Sequence, residues 1–283
     1  MSEYMTVPIP GRRNSSVGNN NIRSSIDVGK QALDGSGSVE LGVPTETGRL
    51  REIDERLQAL ALKHEIRVSE RDRLKELDGY EIIALCDDSG SMHFNVDGTN
   101  RTRWDELRYI VKLVIEIAMV FDKNGVDVFF LNRENAVGIT DPQDIDRLFT
   151  PPPSGYTPLA RKLQEIINFA ENRVDKEKKV LIFIATDGAP TDDGGNPDLE
   201  RFEQIMKHER NVETTHVMFL LCTDEPDDIA YLTKFKGTMK NVDVYDDYET
   251  EKKKIRRLRG NNHAFSKGDY IVQALVGAVE HKR

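Results

Sequence analysis

Tyr80-Glu81-Ile82-Ile83-Ala84-Leu85-Cys86-Asp87-Asp88-Ser89-Gly90-Ser91 is the stretch that decides how this chain is read. A short, nearly continuous apolar run bounded by turn residues is the pattern of a strand buried on both faces. The run stops at Asp87, and the turn behind it sets one carboxylate (Asp87) and two hydroxyls (Ser89, Ser91) around one point. Two further segments are suited to the same point. One is Gly155-Tyr156-Thr157-Pro158-Leu159, and the other is Thr186-Asp187-Gly188, which closes the apolar run Val180 to Ala185. Asp87, Ser89, Ser91, Thr157 and Asp187 offer only hard oxygens, with no His or Cys among them. That donor set suits Mg²⁺ or Mn²⁺ rather than zinc or copper.

Working outward, apolar runs alternate with helical patterns. Strands are expected at Tyr80 to Cys86, Val126 to Leu131, Ala136 to Ile139, Val180 to Ala185, Thr215 to Cys222 and Val242 to Tyr245. Helices are expected near Trp104 to Phe121, Leu159 to Arg173, Asp198 to Glu209, Asp227 to Phe235 and Lys267 to Val279. Such alternation predicts an α/β fold, a doubly wound, mostly parallel six-stranded sheet with helices on both faces. The link Asn132 to Asn135 is too short for a crossover, so the third strand pairs antiparallel with the second and forms an edge. In the order 3-2-1-4-5-6, ligands bind beyond the strand ends where the order reverses, between strands one and four. Asp87 follows strand one and Asp187 follows strand four, so the two carboxylates are expected to meet there.

On these residues the chain resembles the von Willebrand factor A (vWA) domain, a Rossmann-like fold of which this would be an intracellular type. The family's metal-ion-dependent adhesion site has the pattern D-x-S-x-S, then T, then D, matched here by Asp87, Ser89, Ser91, Thr157 and Asp187. The resemblance implies that Ser89 and Ser91 ligate the ion directly. Asp87 and Asp187 then act mostly through bound waters, and Thr157 joins when a partner is engaged. It also implies a divalent-metal-dependent protein-protein interaction module whose partner donates an acidic residue to the metal from within a basic surface. Asp88, Met92, His93, Tyr156, Asp224 and Glu225 are expected on the rim that meets this partner, inside an acidic collar that also includes Asp97, Asp192, Asp193, Asp198, Asp227 and Asp228. The alternative is a structural subunit of an assembly whose metal only orders loops.

A metal-dependent hydrolase or phosphatase is the rival class. Phosphatases of the aspartyl-phosphate kind need a second Asp two residues after the nucleophile, where this chain has Ser89. There is no G-x-x-x-x-G-K-[ST] phosphate loop and no G-x-S-x-G elbow. A non-enzyme is expected. Lys and Arg number 40 against 49 Asp and Glu, and the net charge of −9 argues against a nucleic-acid binder.

Residues 1–46 are rich in Ser, Asn and Gly without an apolar period and are expected to form a disordered tail. Residues 47–78 form a helical lead, with Leu50, Ile53, Leu57 and Leu60 on one face and a capping box at Ser69 to Asp72; residues 79–283 form the vWA domain. No run reaches the length of a membrane span and Met1 to Ser16 has no signal core, so the expected location is cytoplasmic. Cys86 and Cys222 are expected as reduced thiols with one strand between them. The basic run 252–259 reads as a solvated helix face with Ile255 and Leu258 turned inward, while offering a route to nuclear entry.

Overall fold

The structure, a computed structural model, describes residues 46–280 apart from 97, 174, 176 and 224. The tail expected over 1–46 therefore lies outside the described residues but for Glu46. The elements run α1 (Glu46–Lys63), α2 (Val68–Arg73) with a 3-10 turn at Leu74–Leu77, β1 (Tyr80–Cys86), α3 (Arg103–Phe121), β2 (Val126–Phe130), β3 (Ala136–Ile139), α4 (Asp144–Leu148) and α5 (Leu159–Arg173). They continue with β4 (Lys179–Thr186), α6 (Leu199–Gln204) and a π segment at Ile205–Glu209, β5 (Thr215–Leu221), α7 (Pro226–Thr238), β6 (Val242–Tyr245), α8 (Tyr248–Arg259) and α9 (Lys267–Gly277).

The six strands lie in the order β3-β2-β1-β4-β5-β6. All neighbours pair in parallel except β2 and β3, which are antiparallel. This is the doubly wound α/β sheet that the strand pattern predicts. The side-chain alternation of a strand sorts the apolar residues onto two faces. Ile82, Ala84 and Cys86 join the core beneath α1, α3 and α9, whereas Ile83 and Leu85 join the core beneath α5, α6 and α7. Cys86 ends β1 and Cys222 follows β5, with β4 between them, and both thiols are free.

The helices before β1 are fixed to the end of the chain through charge. The Arg67 backbone N–H and its Nε donate to the Asp269 carboxylate at 2.8 and 2.7 Å, and Arg73 Nε donates to Glu280 at 2.7 Å. Three local expectations are corrected here. α2 begins at Val68 with Arg67 at its cap and no side-chain cap, so Ser69 and Asp72 lie within the helix instead of closing a capping box, and buried Glu70 accepts from Arg67, Arg73 and Gln273. Leu50 is exposed while Ile53, Leu57 and Leu60 are buried, so the inward stripe of α1 starts one turn later. Leu258 is also exposed, and only Ile255 of the basic run reaches the core. Among the described residues no helix is long and apolar enough to cross a membrane.

Candidate metal centre

The centre lies where the strand order reverses, beyond the carboxyl ends of β1 and β4. Asp87 extends the β1 ladder by one step, its N–H donating to the Ala185 carbonyl at 2.9 Å. Both of its carboxylate oxygens are then occupied: the Ser89 N–H donates to one at 2.8 Å and the Thr186 hydroxyl to the other at 2.6 Å. The backbone turns into a 3-10 segment, Gly90–His93, which brings Ser91 back towards Ser89. Their hydroxyl oxygens are 3.1 Å apart, and Ser91 donates across the strand gap to Asp187 Oδ1 at 2.7 Å. One hydrogen-bonded chain thus runs from the turn after β1 to the turn after β4.

Thr157 arrives on the loop before α5. The Gly90 N–H donates to the Gly155 carbonyl at 3.1 Å and the Ser154 N–H to the Asp88 carbonyl at 2.7 Å. Gly155 adopts φ +101°, and a Cβ there would meet the Asn132 side chain at 2.7 Å, so only glycine fits. Thr157 in turn exchanges two hydrogen bonds with Thr191, each 2.9 Å. A Cβ added to Gly188 would stand 4.0 Å from Thr157 Oγ1, which places that hydroxyl beside the residue following Asp187. Asp87, Ser89, Thr157 and Asp187 are all buried, and Ser91 is half-buried.

Four residues to which the sequence reading gives no role in the site shape it. Thr186 orients Asp87. Arg103, at the start of α3, donates to Asp187 Oδ2 at 2.8 Å and to Thr223 at 2.9 Å. Asn132 and Arg133, after β2, hold Asp88: the Asn132 N–H donates to its Oδ1 at 2.8 Å and Arg133 Nε to its Oδ2 at 2.6 Å.

Those contacts correct part of the expected rim. Asp88 is 1% exposed and Met92 0% exposed, so neither can meet a partner. The alternation that points Asp87 towards the α5 face points Asp88 towards α3, where Arg133 lies over the Trp104 and Phe130 rings at 4.8 and 5.4 Å. His93, Tyr156 and Glu225 are exposed, and Phe94 joins them. Asp97 and Asp224, expected in the collar, lie outside the described residues, as do the side chains of Asp227 and Asp228. Asp193 is paired with Arg161 at 2.9 Å, and Asp192 receives its own loop's N–H groups.

The chemistry suits a small hard cation. Among the described residues no three His, Cys, Asp or Glu side chains gather into a metal-binding group, and the oxygens that do gather here are two carboxylates and the Ser89 and Ser91 hydroxyls. Burial first, and then the charge of Asp187, push the Asp87 carboxyl up to about 7. A divalent ion between the two carboxylates would relieve that repulsion. In the ion-free chain the folded state binds a proton at Asp87 more tightly than the unfolded state does, so stability is fullest below about pH 4 for this group and falls as pH rises to about 7. Urea midpoints measured in chelator from pH 5 to 8 should fall with pH, and the Asp87→Asn variant should lose that slope. A slope unchanged in the variant would assign it to another group.

No protein-family model matches the chain, and no curated protein matches it. Among solved structures it is similar to the manganese-loaded TRAP protein of Plasmodium vivax, at 15% identity and a TM-score of 0.43, covering 61% of this chain and 70% of that one. It is also similar to the pilus adhesin SpaC of Lactobacillus rhamnosus GG, at 17% identity and a TM-score of 0.42, covering 69% of this chain and 31% of that one. At these values the likeness carries no statement about function, which rests on the chain's own residues.

Proposed function

We propose that this chain is a vWA-type protein-interaction module. Its site takes Mg²⁺ or Mn²⁺ at Asp87, Ser89, Ser91, Thr157 and Asp187, and through the ion engages an acidic side chain of a protein partner. The observation that carries this reading is the hydroxyl chain from Ser89 through Ser91 to Asp187, which joins two distant turns at the place the architecture leaves for ligands. When bound, the ion supplies an electrophilic centre for a carboxylate. The chain's own residues do the rest: Thr186 and the Ser89 N–H orient Asp87, Ser91 orients Asp187, and Thr191 fixes the backbone that presents Thr157. Exposed Tyr156, His93 and Phe94 stand around the opening as contact surface.

The interaction reading is preferred to a purely structural ion by a specific observation. The three loops are already joined without one, through Gly90 to Gly155, Thr157 to Thr191 and Ser91 to Asp187, so an ion is not needed to tie them. A hydrolytic role is disfavoured because the position an aspartyl-phosphate phosphatase gives to its acid is Ser89, whose hydroxyl is engaged with Ser91. We place the module over 79–283, with 47–78 as its helical lead, in the cytoplasm and with nuclear entry through 252–259 as an added property. The test is affinity capture of partners by the full chain in Mg²⁺ and again in chelator, read by mass spectrometry. Proteins held only with Mg²⁺ support the reading. A partner set unchanged by chelator would move the binding surface away from the site.

A further inference from the structure

Arg103 is the side chain that the site's expected chemistry leaves unexplained. It is the first residue of α3, the positive end of the helix dipole, where a cation is disfavoured. The rest of that turn follows the rule: Thr102 caps it by accepting the Asp105 N–H, and Asp105 and Glu106 supply the acids. The helix therefore does not account for Arg103. Its surroundings do. The guanidinium is held on three sides, donating to Asp187 at 2.8 Å and Thr223 at 2.9 Å and lying 5.7 Å from the centre of the Phe94 ring. Its side chain is only 12% exposed and that of Asp187 is 0% exposed, so the pair is shielded from water. Among the described residues no other Lys or Arg pairs with either Asp87 or Asp187.

Resting on the metal reading above, we infer that Arg103 is an internal counter-cation that competes with the divalent ion for Asp187. It neutralises Asp187 when the ion is absent and lowers the site's affinity when the ion arrives. The physics is charge counting in a dry site. With both carboxylates ionised, as a bound divalent cation requires, Arg103 leaves a single negative charge to attract that cation; without it there are two. Asp187 Oδ1 accepts from Ser91 and Oδ2 from Arg103, so an ion that draws on Asp187, directly or through water, shares its charge with a cation already beside it. A folded ion-free state with less repulsion between the carboxylates is the consequence, so loading follows the ambient metal concentration instead of being permanent. The site is thereby made responsive to metal.

The alternative role, a support that orients Asp187 for the ion, predicts the opposite sign, since losing such a support weakens binding. Mn²⁺ is titrated by calorimetry into the full wild-type chain, Arg103→Gln and Arg103→Lys, and each is melted in chelator and in saturating Mn²⁺. Arg103→Gln should bind Mn²⁺ tighter by about 10 to 100-fold. It should also melt lower than wild type in chelator, and gain more from Mn²⁺, since stabilisation grows with the ratio of ion to Kd. Arg103→Lys, which keeps the charge, should stay near wild type. If Arg103→Gln does not fold without metal, it is refolded in Mn²⁺ and its affinity read by competition with a chelator of known Kd. Equal or weaker binding by Arg103→Gln overturns the competitor role. Failure of all three proteins to take up Mn²⁺ overturns the metal reading itself, a result distinct from either.

Discussion

Replacing Arg133 with Met is expected to cost this fold about 3 to 5 kcal/mol, the usual penalty when one partner of a buried ion pair is removed and the other charge stays behind. Asp88 is 1% exposed, and its Oδ2 accepts from Arg133 Nε at 2.6 Å. Arg133 does more than neutralise it. The same guanidinium donates to the Pro151 carbonyl at 3.0 Å and the Pro152 carbonyl at 3.1 Å, and it lies over the Trp104 and Phe130 rings. It therefore pins the segment leading to Gly155 and Thr157 against the ends of β1 and β2. Met keeps much of the volume over the rings but none of the donors. The urea midpoint should fall with the slope unchanged. The double variant with Asp88→Asn should recover part of the loss, since the orphaned charge is then gone. The exposed pair Arg161–Asp193 has a comparable distance of 2.9 Å, yet its loss should cost no more than about 1 kcal/mol. A midpoint shift as small in Arg133→Met as in Arg161→Met would show that Asp88 is not held as the contacts imply.

What was legible in the sequence divides along a physical line. β1, β3 and β6 fall where the sequence pattern puts them, β1 because its apolar run is bounded by turn residues at both ends. The short link after β2 was enough to make β3 the antiparallel edge. Asp87 and Asp187 were readable as strand-end residues, and the strand order then brings their turns together. Asp88 departs from the expected rim because in an extended chain its side chain leaves on the face opposite Asp87, towards α3. Arg103 and Arg133 were not legible. They reach partners 84 and 45 residues away, and a long flexible side chain leaves no local pattern that names its partner. Ser69 and Asp72 have the spacing of a capping box, but α2 starts at Val68 with Arg67 at its cap, so neither stands at the position a box requires.

Asp187→Ala is expected to weaken Mg²⁺ or Mn²⁺ binding by about 10 to 100-fold, the usual loss when a residue that orients or balances a bound ion is removed. Asp187 is where three lines meet. Ser91 donates to one oxygen and Arg103 to the other, and its charge is the second cause of the raised Asp87 carboxyl. Partner capture should fall in parallel with metal binding. Thr157→Ala should separate the two, weakening partner capture while the affinity for the free ion stays near wild type, because the resemblance gives Thr157 its contact only when a partner is engaged. Salt then reports on the rim. With Asp88 buried and Asp193 paired, the acidic collar is thinner than the sequence implied, so salt should slow association only modestly, exposed charges being screened beyond about 10 Å at 0.1 M. The sharpest discrimination comes from the two ends of one ion pair, 2.8 Å apart. Removing the carboxylate should weaken the ion and removing the guanidinium should tighten it, whereas a pair that served only the fold would move both in the same direction, through stability alone. Metal affinity unchanged in Asp187→Ala would sink the site assignment whatever Arg103→Gln does.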